Sequence, residues 1–178
     1  MKIHVEDTIN FPRDVVFTTY RDELDQLATY LPNIDKIEVK EREELDNGSV
    51  RLLNIWKASP AEIPSIVRPF IDPSKIAWND YALWNANDHT CEWRNELNVF
   101  TEHVSIRGKN RFEPAGDNAV KIIINGELTV DAKKIPGVPR LLAGRIGPAI
   151  EKFVVTLITP NLKEVNRGLE KFIASKQG

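Results

Sequence analysis

The residues with chemistry to offer stand where a sheet-forming chain ordinarily places apolar ones. When the period-2 alternation of the sequence is set on a common inward face, its apolar rows are interrupted by Asp7, Asn54, Asp80, Asn95 and Asn110. A buried polar group without a partner costs about 1–3 kcal/mol and an isolated charge more. These residues must therefore pair with one another, reach the open end of the sheet, or line a wet cavity. Asp7 and Asp80 are the candidate catalytic groups, because apolar enclosure raises a carboxyl pKa into the range useful for acid or base work. The plainer reading is a carboxylate hydrogen-bonded to a neighbouring strand or helix, or a residue at a strand end or bulge that a one-residue slip turns outward.

All four tryptophans, Trp56, Trp78, Trp84 and Trp93, also read inward. Indoles offer large flat surfaces with one donor at the edge, a suitable wall for a sterol, acyl or aromatic ligand. Asp80, Asn95 and Asn110 would then hold the ligand's polar group. The alternative is a heavy core cluster beneath a covering helix. Gly108 and Gly126, on inward positions too, are expected to bend the sheet and leave free volume.

The elements that would position these groups follow from spacing. Ile3, Val5 and Ile9 mark a half-buried first strand with Asp7 on its apolar side. Pro12 suits a helix start, and Val15, Val16 and Tyr20, then Leu24, Leu27, Ala28 and Leu31, recur at helical spacing as two short helices broken near Asp22. A charged strand from Ile34 to Asp46, with Ile37, Val39 and Leu45 on one side, leads into the Asn47-Gly48 hairpin signal. The next strand runs to about Ala58. The stretch SPAEIPSIVRPFIDP, with its four prolines, interrupts the alternation as a lid or corner. Strands carrying Ile76 to Trp84, Cys91 to Val99, Val104 to Phe112 and Val120 to Val130 come next. Their opposite faces hold Glu92, Arg94, Glu96, Arg107, Lys109 and Arg111, as an antiparallel sheet wet on one side requires. One terminal helix from about Arg145 to Lys176 carries an apolar stripe that includes Ile146, Ile150, Phe153, Leu157, Val165 and Leu169. Pro160 inside it is expected to produce a kink. Phe153 and Leu157 would close the cavity from the helix side.

Composition narrows the function classes. At 178 residues the chain is read as one domain spanning 1–178. Hydrophobic content of 42% with 28% charged residues describes a globular protein, and a net charge of -2 argues against nucleic acid as a partner. The N-terminal MKIHVEDTINF has no apolar signal region, and no stretch approaches the length of a membrane span, so the cytoplasm is the expected location. The single cysteine, Cys91, excludes an internal disulfide. His4, His89 and His103 lack ligand spacing, so no metal is expected, and no phosphate-binding or nucleophile-elbow motif implies a cofactor.

The segment KKIPGVPRLLAGRIGP sets the basic residues Lys133, Lys134 and Arg140 around the apolar Ile135, Val138, Leu141 and Leu142. Apolar tips with basic flanks suit a gate that makes transient contact with a membrane surface. A loop packed on the sheet edge with solvated charges is the plainer alternative.

From the KIHV strand and the FPRDVV helix start to the GRIGPAIEKFVVTLI helix, this element order resembles the START-like, or SRPBCC, helix-grip superfamily, with its Bet v 1-like proteins, polyketide cyclases and lipid-transfer domains. The resemblance implies an α+β fold in which a curved antiparallel sheet of about six to seven strands grips a long C-terminal helix. It further implies a hydrophobic small molecule, such as a lipid, held between sheet and helix. Two alternatives accompany it: a cyclase or aromatase using Asp7 or Asp80, without an inward His or Tyr to share the work, and a protein-interaction module with a filled core.

Overall fold

In the computed structural model, residues 1–32, 34–59, 72, 76–99, 102–131, 133 and 141–177 are described, without the side chains of 153, 154, 156–162 and 177. Strand β1 (Lys2–Ile9) is followed by helix α1 (Arg13–Asp22) and a 3-10 turn (Gln26–Tyr30). Strands β2 (Ile34–Glu44), β3 (Val50–Ala58), β4 (Ala77–Asn85), β5 (Thr90–Leu97), β6 (Val104–Pro114) and β7 (Val120–Val130) lead to helix α2 (Ala143–Gln177). The strands form one antiparallel sheet in the order β1-β7-β6-β5-β4-β3-β2. The lid expected at SPAEIPSIVRPFIDP falls almost wholly outside the described residues.

Local chemistry explains the turns. Gly48 takes φ +77°, and Asn47 Oδ1 accepts the Ser49 amide at 3.0 Å, closing the β2–β3 hairpin where the Asn-Gly pair predicts it. Between β4 and β5, Asn85 Oδ1 accepts the amides of Asn87 and Asp88. His89 completes that turn at φ 49° and meets Asp14 at 2.8 Å, which ties the turn to the first turn of α1.

Helix α1 buries Val16, Phe17, Thr19 and Tyr20. Phe17 anchors it, edge-on to Trp84 and to Phe112 at 5.2 Å from each. Helix α2 runs unbroken in backbone terms, packs along β1, α1, the 3-10 turn and β7, and buries Ile146, Ile150, Val165, Leu169 and Phe172. Fully burying one such side chain contributes about 1.5–3 kcal/mol, so this stripe is what holds the helix to the sheet.

Two expectations need correction. Val39 shares the face of Ile37, opposite the buried Asn54, but stays 37% exposed on the edge strand of the sheet. Gly108 and Gly126 leave no void. They face each other across β6 and β7, and the Trp93 indole lies over both. A Cβ at Gly108 would stand 2.4 Å from Trp93 Cζ2 and 2.5 Å from the Asn125 carbonyl oxygen. Gly108→Ala is therefore expected to destabilise the fold by about 1–3 kcal/mol through overpacking. Urea denaturation measures this, and an unchanged midpoint would mean that Trp93 is not seated on the glycine pair.

Candidate functional site

The pairing of β3, β4 and β5 brings the inward polar residues into one line. Asn54 lies directly opposite Asp80, and Asp80 directly opposite Asn95, so three polar side chains cross three strands on the helix-facing side. Apolar rows flank this line. On one side Trp56 pairs with Trp78, their rings stacked 5.6 Å apart at 13°. On the other run Leu52, Ala82, Trp93 and Gly108. A strand row of three polar residues between apolar rows is legible from parity alone, and Asn54, Asp80 and Asn95 lie in it as that parity requires.

Beside the polar row lies a cavity of about 60 Å³, lined by all four tryptophans with Tyr20, Leu24, Asp80, Ala82, Cys91, Asn95, Asn110 and Val165. That is room for a few waters or the end of a small molecule, well below the roughly 300–1,000 Å³ of a pocket for a drug-sized ligand. A larger depression of about 1140 Å³ crosses the outer face of the sheet, among Arg42, Arg51, Glu92, Arg107, Lys109 and Glu127. Its charges are spent on one another: Arg107 with Glu127, Arg51 with Glu43, Lys109 with Glu92. The unmet hydrogen-bonding capacity is on the inner side.

Asp80 is the chemical centre of the cavity. Burial among apolar neighbours pushes its carboxyl up to about 6, and the Asn54 amide, donating to Oδ2 at 3.0 Å, offsets only part of that. The Trp56 indole N–H also favours the carboxylate without reaching hydrogen-bond geometry. Asp80 and Asn95 keep some accessible surface although they sit mid-strand on the covered face, as residues bordering a void do. A carboxylate only accepts, so Asn54 turns its NH2 to Asp80 and leaves its own Oδ1 unpartnered. Asn95 Oδ1 and Trp84 Nε1 are likewise buried without a partner.

The tryptophans divide by role. Trp93 is fixed from two sides, by the glycine pair under its ring and by Nε1 donating to Asn110 Oδ1 at 2.7 Å. Trp84 packs against Phe17 and Tyr20 as part of the core. Trp56 and Trp78 stack beside Asp80 as wall. Asn110 thus holds a tryptophan, and its place on the cavity wall is secondary.

The other expected site residues scatter. Asp7 sits on the inward row of β1, half-buried, and accepts the Thr8 amide at 2.9 Å, away from the cavity. Phe153 and Leu157 are outside the described side chains, and Lys134, Ile135, Val138 and Arg140 are outside the described residues. Lys133 is exposed, Leu141 is 97% exposed and Leu142 43%. Among the described residues no group of side chains could hold a metal ion, and no helix is long and apolar enough to cross a membrane.

Two titratable residues of the cavity wall were not among the expected site residues. Tyr20 reaches the wall from α1, its hydroxyl held protonated by burial and by the nearby Cys91 and Asp80, so a tyrosine does stand beside the carboxylate. Its signal was the helical spacing Val16, Tyr20, Leu24, which marks a covered face without saying what it covers. Cys91 shares the wall, and burial with the Asp80 charge pushes its thiol well up, which leaves it inert as a nucleophile.

No protein-family model matches the chain, and no curated protein matches its sequence. Solved structures do. A protein from Thermus thermophilus is similar over 100% of both chains, at 20% identity and a TM-score of 0.71. The Zhui aromatase/cyclase from a Streptomyces species is similar over 97% of this chain and 95% of its own, at 16% identity and a TM-score of 0.65. A START superfamily protein from Mycobacterium smegmatis is similar over 98% of this chain and 97% of its own, at 13% identity and a TM-score of 0.57. At these identities the likeness is one of fold. The sheet order, the paired short helices after β1 and the long terminal helix across the sheet give this chain the START-like, SRPBCC helix-grip fold.

Proposed function

We propose that this chain, acting as a single domain in the cytoplasm, binds a hydrophobic small molecule, a lipid being one such class, with its polar end against Asp80 and Asn95. The observation that carries this reading is the polar row Asn54, Asp80, Asn95 set between apolar rows beside a cavity lined by indoles. Buried, unmet acceptors and donors cost stability, and their retention beside a void suits a ligand that supplies the missing partners. A cavity of about 60 Å³ takes the polar end, and the apolar body would run on along α2. The exposed Leu141 and Leu142, within the Lys133 to Pro148 stretch, supply an apolar tip for a gate that touches a membrane surface in passing. Similarity in fold to an aromatase/cyclase supports a second reading, in which Asp80 moves protons on the bound molecule. A carboxyl held at about 6 is matched to that task near neutral pH.

Two measurements check the site. Native mass spectrometry of gently purified protein, followed by organic extraction, should show a small apolar compound leaving with the chain. A spectrum that stays clean after incubation with mixed lipids and aromatic polyketides would point to a filled core and a protein partner instead.

The second concerns Asp80 itself. Its folded pKa of about 6 lies above the ordinary aspartate value of 3.8, so the folded state binds the proton more tightly, and stability falls as pH rises from about 4 to about 6. Asp80→Asn should leave stability unchanged at pH 4 and raise it by on the order of 2–3 kcal/mol at pH 8. Urea denaturation across that range decides it. A variant less stable than wild type at pH 8 would show that the ionised carboxylate has a strong partner.

A further inference from the structure

The chemistry of the cavity narrows what the polar end of the ligand can be. The wall carries one ionisable acid, Asp80, deep in the protein. Among the described residues no cation faces it. The groups around it are Asn54 and Trp56 on β3, Cys91 and Asn95 on β5, Tyr20 on α1 and Val165 on α2, and the titratable ones among these, Tyr20 and Cys91, are held neutral by burial. Asn54 donates one hydrogen bond to the carboxylate. The opposite neighbour, Asn95, lines the same cavity, and its Oδ1 has no partner.

Indole rings line the same cavity as this pair of acceptors. The negative π faces of indole rings repel an anion and attract a cation within about 6 Å of the ring centre. The Trp56 N–H favours the carboxylate, yet burial still pushes the Asp80 carboxyl up to about 6, so its negative charge is undercompensated and a cation would answer it. A neutral alcohol would meet the hydrogen-bonding need of Asp80 and leave its charge uncompensated. A carboxylate ligand would add a second negative charge. Only a cation with N–H donors answers both the acid and the free Asn95 oxygen. The small volume suits a compact head of this kind.

We infer that the cavity is a receptor for protonated amines, in which an ammonium group on an apolar body pairs with Asp80, donates to Asn95 Oδ1 and lies beside Trp56 and Trp78. This inference rests on the hydrophobic-ligand reading and specifies its polar end. Trp56 Nε1 and Trp84 Nε1, which an ammonium cannot satisfy, are left to water or to an oxygen on the ligand.

The test uses the unaltered protein and three probes of equal chain length, decylamine, decanol and decanoate, kept below their aggregation concentrations. All four tryptophans line the cavity, so intrinsic fluorescence reports occupancy directly. Decylamine at pH 7.5 should bind at least tenfold more tightly than decanol, and decanoate more weakly than either. On lowering the pH to 5, decylamine should lose about tenfold in affinity as Asp80 takes up its proton, while decanol stays level. Asp80→Asn, confirmed as folded by circular dichroism, should abolish the preference for the amine. Decanol or decanoate binding as tightly as decylamine overturns the amine inference and leaves the hydrophobic-ligand reading standing. Failure of all three to bind removes both. An amine preference that survives in Asp80→Asn, or does not change between pH 7.5 and 5, also overturns it, since the carboxylate would then not be the partner.

Discussion

The interaction on which the interior depends is the seating of Trp93 across Gly108 and Gly126. Two facing glycines remove the side chains that would otherwise stand on β6 and β7, and one indole from β5 covers both, its N–H fixed on Asn110. The arrangement works in one register only. A shift of β6 by one residue would put Lys109 or Arg107 beneath the ring, so the pair of glycines specifies the alignment of three strands as well as filling space. That alignment propagates: with Trp93 opposite Ala82, Asp80 falls opposite Asn95, and the polar row is assembled.

The polar row is the reverse case, a local loss that the rest of the fold sustains. A buried carboxylate with one good hydrogen bond, near two amide oxygens and two indole N–H groups that have no partner, lowers stability relative to an apolar row of the same shape. The apolar stripe of α2, the Phe17 anchor and the packed β6–β7 region provide the surplus. Sites of this type concentrate where function demands a group that stability alone would remove.

Much of this was legible in the sequence because strand parity is a strict rule. Alternation alone sent Asn54, Asp80, Asn95 and Asn110 inward and Arg94, Arg107 and Lys109 outward, and the helix-grip order followed from a first strand, two helical turns, a meander and a long amphipathic helix. Parity gives the face of a residue and no more. It could not show that Asn110 is engaged by an indole, that the two glycines are filled, or that Asp7 lies away from the cavity, since each depends on which residue a neighbouring strand places opposite. Tyr20 was missed for a related reason: helical spacing marks a covered side without naming what lies across from it. Val39 kept the face that parity gave it but not the burial, because it stands on the edge strand of the sheet.

The charged outer face completes the logic of register. Arg107 faces Glu127 directly, as Glu92 faces Lys109 and Glu43 faces Arg51, whereas Arg94 and Arg107, also directly opposite, are each neutralised by another partner. Exposed pairs of this kind contribute only about 0–1 kcal/mol each, too little to explain the fold's stability. Their value lies in what a slip would do. Moving a strand by one residue would bury these charges against α2 and turn Asp80 and Asn95 to solvent, exchanging a row that is tolerated inside for several that are not. The outer ladder thus protects the inner site: the charges that look most like a binding surface are the ones that keep the buried carboxylate where it is.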